Sequence, residues 1–334
     1  MKVNRFIKFT ASIFCLLLGV VLFFAFKSFT PPIIAENAIS ELTTFNNNGD
    51  EQSLLIRGHD LEQPLLLFLH GGPGMPAMYL AHDFQRELEK HFVIVHWDQR
   101  GAGKSYKPNI DTSTLSISNL LRDTDTLVDH LLSSFSKDSL WLLGHSHGTY
   151  LGALYARRHP DKVKAFVGVG QIGDFEREAG VQEAFLLQQL DSLGLPADTE
   201  INDANREELL FRTGSELYRD TSFIPLIISG MLAMEYSLFD ILKVQKGSSL
   251  SSRHMKYDMN RDLIREENIF STPVALIMGA HDMTTPVSLA RDYYDAIEAP
   301  AKRFISIPDT AHFPHFEEPD AFLNVMLELK SMWN

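Results

Sequence analysis

Cysteine is nearly absent: Cys15 is the only one in 334 residues. No intramolecular disulfide is possible, so the fold relies on burial and hydrogen bonding in any redox compartment. A positive excess is also missing, since 30 Lys and Arg stand against 43 Asp and Glu, a formal charge of −13. Such a surface repels phosphate backbones, which argues against a nucleic-acid partner. The glycine-rich loop His70–Gly74 holds neither a G-x-G-x-x-G nor a Walker lysine, and beyond the first forty residues there is no repeat or low-complexity tract. No phosphate cradle is therefore signalled. His145 and His147 form an H-x-H pair, but no carboxylate follows at the next positions and no thiolate is at hand. Neither a metal nor an organic cofactor is expected.

What is present suits a globular protein with a sizeable core, 45% hydrophobic and 22% charged. The length fits one large domain or two ordinary ones. The N-terminus differs from the rest. Lys2, Arg5 and Lys8 precede eighteen uncharged residues, FTASIFCLLLGVVLFFAF, in which only Thr10 and Ser12 are polar. This run approaches the roughly 20 residues that cross a bilayer. It is long for a cleaved signal, and no A-x-A-like site follows it. The expectation is a single-pass anchor with its basic end cytoplasmic and the catalytic domain extracytoplasmic. Secretion after cleavage is the alternative. Residues 1–34 would comprise the cytoplasmic tip, the anchor and a linker around Pro31-Pro32.

Beyond the linker, short apolar runs alternate with helical patterns. The runs are Pro64–His70, Phe92–Trp97, Leu140–Gly144, Lys164–Gly170, Pro273–Gly279 and Lys302–Pro308. Continuous apolar runs of this length suit strands buried on both faces of a parallel sheet. Helical patterns cover Ala81–His91, Ser116–Ser134, Tyr150–His159, Val287–Ala299 and Pro319–Met332. The fold class is therefore α/β, a mostly parallel sheet flanked by helices. From about 174 to 269 the rhythm breaks into helical pattern without a convincing strand. That stretch reads as a cap inserted into a core of 35–173 and 270–334, set over the strand ends where such folds bind ligands.

Gly144-His145-Ser146-His147-Gly148 follows the run LWLL and precedes a helical pattern. Strand, tight turn and helix around G-x-S-x-G is the context of a nucleophile elbow; a simple helix cap is the plainer role for such a serine. A serine hydroxyl needs a base, and the base needs an orienting carboxylate, in the chain order Ser, acid, His. Asp282 lies just past PVALIMG and His312 just past KRFISIP, both at strand ends. Asp258 and Asp262 are alternative acids, His315 is the alternative base, and His281 neighbours the acid. An oxyanion would need N–H donors. The N–H of His147 is one; the loop His70-Gly71-Gly72-Pro73-Gly74 offers the other, at Gly72, with Gly71 as fallback.

Together HGGPG (70–74), WDQRGAGKS (97–105), GHSHGTY (144–150), GAHDMTTP (279–286) and AHFPHFEEP (311–319) resemble the α/β-hydrolase superfamily, and within it the proline iminopeptidase group of serine peptidases. The resemblance spans about residues 50–334 and is weakest across the cap. It implies an acyl-enzyme route with Ser146 as nucleophile, His312 as base, Asp282 as its acid, and Gly72 with His147 as oxyanion hole. Many of these enzymes carry tryptophan after the nucleophile, where this chain has His147. They also hold the substrate's free amine with acidic cap residues, for which Glu235 is the candidate; a solvated helix face is its competing role. Asp98 and Arg100 are expected to brace loops. The function expected is an aminopeptidase acting on short peptides or amino-acid amides. The alternative is a membrane-associated ester hydrolase, with the apolar stretch FIPLIISGMLAM (223–234) lining an acyl pocket.

Overall fold

The structure, a computed structural model, describes residues 2–255 and 268–333. Helix α1 (Lys2–Phe26) leads into a hairpin of β1 (Ile39–Asn47) and β2 (Asp50–Gly58), then β3 (Leu65–Leu69) and the short helix α2 (Ala81–Phe84). There follow β4 (Val93–Asp98), α3 (Ile117–Phe135), β5 (Leu140–His145), α4 (His147–Arg158) and β6 (Val163–Val169). Next come the helices α5 (Phe175–Gln189), α6 (Arg206–Arg212), α7 (Ile224–Leu232) and α8 (Leu238–Met255). The chain closes with β7 (Val274–Gly279), α9 (Val287–Ala296), β8 (Lys302–Ile307), α10 (Pro314–Glu317) and α11 (Pro319–Trp333).

The eight strands form one sheet in the order β1-β2-β4-β3-β5-β6-β7-β8. Pairing is parallel from β4 to β8, while β1–β2 and β2–β4 are antiparallel. Each expected apolar run became a strand. The physical reason is visible in the packing. Leu65, Leu67, Val93, Val95, Leu140 and Leu142 join one core cluster, with Leu127 of α3 and Leu151 of α4. Their neighbours Leu66, Phe68, Ile94, Trp141 and Leu143 join the opposite cluster, with Phe322 and Met326 of α11. Both faces are dry, so alternation disappears from the sequence.

Two differences stand out. The β1–β2 hairpin was not anticipated, although Asn48 and Gly49 both take positive φ, 53° and 84°, as a tight hairpin turn demands. The helix expected over Ala81–His91 breaks into α2 and a 3₁₀ turn at Leu88–Lys90. Its Gln85 and Glu89 turn inward instead: Gln85 meets the His96 ring at 2.6 Å, and Glu89 pairs with Arg57 at 2.8 Å.

Among the described residues, the stretch between β6 and β7 adds four helices and no strand. It packs on the loops that leave the strands. A Cβ on Gly74, after β3, would touch Ser251 of α8 at 2.6 Å. Gln182 of α5 donates to Thr284 O at 2.8 Å, and His312 N–H donates to Glu216 O at 3.1 Å.

Asp98 and Arg100 are structural braces. Asp98 accepts from Lys104 N–H at 2.7 Å and from the Tyr236 hydroxyl, joining the sheet to the α7–α8 connection. Arg100 holds Asp123 of α3 through two bonds, 2.7 and 2.9 Å, with both side chains buried. Gln52 of the hairpin donates to the same carboxylate at 3.2 Å. Removing one partner of a buried pair strands the other charge, a cost of about 3–5 kcal/mol. Arg100→Ala should therefore lower the unfolding free energy by about that much, read as a shift in the urea midpoint. An unchanged midpoint would show that the pair does not brace the hairpin.

Candidate active site

Four loops that leave the parallel strands β3, β5, β7 and β8 at their C-terminal ends meet at one place. Ser146 stands between β5 and α4 with φ 52° and ψ −122°, a conformation that side-chain-bearing residues rarely adopt. The turn closes because its flanks carry no side chains. A Cβ on Gly144 would overlap the carbonyl oxygen of Gly148, and one on Gly148 would overlap that of Leu69. Ser146 N–H donates to Val169 O at 2.9 Å, tying the turn to the end of β6. No side-chain cap bond comes from Ser146, so the helix-capping role leaves its hydroxyl unused.

The acid and the base come together after β7 and β8. His312 Nδ1 lies 2.9 Å from Asp282 Oδ2. Asp282 is fully buried and takes two further bonds from Thr285, its N–H to Oδ1 and its hydroxyl to Oδ2, both at 2.8 Å. These bonds leave the carboxylate one orientation and make Nδ1 the protonated nitrogen of His312, turning Nε2 outward as an acceptor. Gly170, after β6, packs against the pair: a Cβ there would sit 3.0 Å from His312 Nδ1. On the other side Gly71 abuts Ser146, with 3.0 Å from its Cβ position to the serine Cβ. Gly72 follows with φ 111°. Among the described residues, the N–H groups of Gly72 and His147 have no acceptor.

The sequence model of the α/β hydrolase fold matches residues 64–319. The chain belongs to the α/β-hydrolase family. It is 30% identical over 310 residues to the probable aminopeptidase YbaC of Bacillus subtilis, covering 87% of this chain and 96% of that one. It is 25% identical to a proline iminopeptidase of Heyndrickxia coagulans over 78% of this chain and 88% of that protein. In three dimensions it matches the proline iminopeptidase of Mycobacterium smegmatis with a TM-score of 0.64 at 19% identity, over 86% and 97% of the two chains. It is a hydrolase of this fold, similar to the proline iminopeptidases.

Several histidines crowd this α/β-hydrolase site, and neighbouring carboxylates separate one from the rest. Burial pulls His147 and His315 down to about 3, and His70 to about 4, so all three rings are neutral. His315, the alternative base, is wedged between Phe84 and Phe322, and its ring nitrogens have no hydrogen-bond partner among the described residues. His281 stacks on Tyr218 with centroids 4.0 Å apart. Burial works against protonation of His312 too, but the carboxylates of Asp282, Glu216 and Glu178 outweigh it and lift this ring to about 9. Asp258 and Asp262, the alternative acids, lie outside the described residues.

Three residues overlooked in the sequence belong to this setting. His145, one step before Ser146, donates its Nε2–H to His312 O at 2.9 Å and so holds the loop that carries the base. Glu178, in the first turn of α5, is lifted to about 8 by burial. Glu216, between α6 and α7, is raised as well by burial, and it accepts from the Thr284 hydroxyl at 2.9 Å. Glu235 lies elsewhere. It is buried in the turn between α7 and α8, not on a solvated helix face, and pairs with His82 at 2.8 Å. Despite the penalty of burial, that pairing holds it below the usual carboxylate range.

His312 holds its proton more tightly folded than unfolded. It therefore stabilises the fold below about pH 6.5, and this contribution disappears as pH rises through about 9. Glu178, also raised, adds a loss of the same sign up to about pH 8. Urea unfolding followed across this range should show stability falling with pH, and Asp282→Asn should flatten the upper part of the slope. A wild-type stability that rises through that range would contradict the arrangement.

Proposed function

We propose that the chain is a serine aminopeptidase acting on short peptides or amino-acid amides, held at a membrane by α1. Ser146 Oγ attacks the carbonyl carbon while His312 Nε2 takes its proton, and Asp282 steadies the imidazolium that results. The N–H groups of Gly72 and His147 receive the oxyanion. Collapse expels the amine, which takes the proton from His312, and a water activated by the same ring releases the acyl group from Ser146.

The observation that carries the aminopeptidase reading is the pair of glutamates, Glu178 and Glu216, that act on His312 from the helical insert. Glu178 and Glu216 both interact electrostatically with the His312 ring. A substrate with a free ammonium group would pair with them in their charged form, whereas a substrate without an amine would offer these raised carboxyls no cationic partner. We assign amine recognition to this pair, since Glu235 already has His82 as its partner. The names of the relatives, a probable aminopeptidase and proline iminopeptidases, agree with this reading. The ester alternative drew on residues 223–234 as an acyl lining. Yet Phe223, Ile224, Ile227, Ile228, Met231 and Leu232 face outward.

The membrane reading rests on α1. Its Phe9–Phe26 segment has a mean hydropathy of 2.6 and none of it is buried. A helix of that length and composition serves as an anchor or a signal sequence. With no small-residue cleavage site after it, we assign an anchor.

The deciding assay sets prolyl and alanyl naphthylamides against p-nitrophenyl esters, using the full chain in detergent with and without a fluorophosphonate. Inhibitor-sensitive turnover of the amides is expected, and turnover of esters alone would overturn the aminopeptidase assignment. Ser146→Ala should lower kcat by about 10⁴–10⁶. Glu178→Gln or Glu216→Gln should cost about tenfold in kcat/KM on free-amine substrates, equivalent to about 1.4 kcal/mol, and little on N-acetylated ones. Because His312 must be neutral to act as base, kcat/KM should climb with pH toward about 9. Either Gln variant should move that limb to lower pH.

A further inference from the structure

Helix α7 is packed against the usual rule. In a surface helix the apolar stripe faces the core. Here Ile224, Ile227, Ile228, Met231 and Leu232, spaced i, i+3, i+4, i+7 and i+8, are 45–59% exposed. Only Leu226 and Gly230 of this helix are buried. Phe223, just before it, and Phe239 and Leu242 of α8 extend the exposed apolar surface. From Thr221 to Met234 the chain carries no charge at all. An apolar surface of this size on a soluble protein marks an interaction site.

The position of the patch says what covers it. At 1.5 Å per residue, the eighteen uncharged residues of α1 from Phe9 to Phe26 span about 27 Å, close to the thickness of a hydrocarbon core. Phe26 must then stand at the edge of that core. The next residues are fastened to α7: Lys27 Nζ donates to Met231 O at 2.5 Å, and Phe29 N–H donates to Met234 O at 3.1 Å. Phe26 itself packs on Phe239, with centroids 5.9 Å apart. The exposed stripe is thus held at the level where α1 leaves the bilayer. A second copy of the chain would also bury apolar surface, but nothing would place its complement at that level.

We infer that the outward face of α7, with Phe223, Phe239 and Leu242, is a membrane-docking surface that lies in the lipid interface beside the exit of α1. An interfacial helix sinks its apolar face about 5–10 Å into the headgroup boundary. The docked insert would then sit against the bilayer, fixing the orientation of the hydrolase on it instead of leaving it tethered by a loose linker. The inference rests on the reading of α1 as a membrane span, and its test separates the two.

The full chain, with Cys15→Ser, would carry one environment-sensitive fluorophore through Ile228→Cys. It would be reconstituted in vesicles of phosphatidylethanolamine and phosphatidylglycerol. Companion labels through Val20→Cys, in the span, and Glu328→Cys, at an exposed position of α11, complete the set. Nitroxide phospholipids should quench the Ile228→Cys and Val20→Cys labels and spare the Glu328→Cys label, with iodide in the water showing the reverse. An Ile228→Cys label quenched by iodide and not by lipid nitroxides would overturn docking. One shielded from both would also overturn it and point to a protein neighbour. Lipid quenching at Val20→Cys without quenching at Ile228→Cys would leave the anchor standing and docking refuted. The opposite pattern would keep docking and refute the anchor.

Discussion

The geometry of the site depends on one close approach, the seating of Ser146 between β5 and α4. At φ 52° and ψ −122° the serine backbone is strained, and only a surrounding structure that permits no alternative keeps it there. The missing side chains at Gly144 and Gly148 allow the first turn of α4 to press against Leu69 at the end of β3. The same contact brings the His70–Gly74 loop against Ser146, so the donor loop and the serine are placed by one packing event. Asp282 and His312 reach this place on neighbouring strands, because the parallel pairing of β7 and β8 carries both loops out at the same edge. The sheet fixes the relative positions of groups that lie far apart in the chain.

Electrostatics then distinguishes groups of one chemical type. His70, His147, His312 and His315 all lie in the same dry region, yet only His312 is pushed upward. Burial acts on all four alike; the difference is the Asp282 carboxylate at 2.9 Å, reinforced by Glu178 and Glu216. The neutral rings contribute by shape and hydrogen bonding: His145 ties the His312 loop, and His70 accepts from Gln99 N–H at 3.1 Å. These neutral rings pack the site without adding cationic charge.

How much was legible in the sequence follows from what each element buries. Five of the parallel-paired strands, β3 to β7, were readable because both of their faces are dry, leaving nearly uninterrupted apolar runs, while the edge strand β8 keeps half-exposed polar residues. The β1–β2 hairpin was not: β1 is an edge strand with a half-exposed, polar-mixed pattern, and the one local signal was the turn at Asn48-Gly49. Ser146, Asp282 and His312 stood out as candidates because each comes shortly after a hydrophobic run, which leaves few alternatives. Glu178 and Glu216 could not. The insert carries many carboxylates on helices of weak periodicity, and only the packing of α5 and the α6–α7 connection on the strand ends decides which of them face His312. Glu235 was singled out as an acidic cap residue that could hold a substrate amine, and its burial beside His82 gives its carboxylate a partner without the substrate.

The same ambiguity applies to the apolar stretch at 223–234 and shows where periodicity stops being informative. A stripe at i, i+3, i+4, i+7 looks identical whether it faces a core, an acyl chain or a lipid surface; the sequence encodes the stripe, not its direction. Direction is set here by small, local bonds at the foot of α1. The buried Lys27 binds the last turn of α7 through a main-chain carbonyl, and Lys104 binds Ser28, Glu235 O and Asp240 at 2.8–2.9 Å. Because Asp98 and Tyr236 continue this chain of contacts into the sheet, the foot of α1 is coupled to the DQRG loop beside His70. Gln99 of that loop bonds His70 at both its backbone and its side chain. The strand ends that carry the site and the segment that follows α1 are thus joined by a chain of partly buried polar bonds as well as by the Pro31-Pro32 linker.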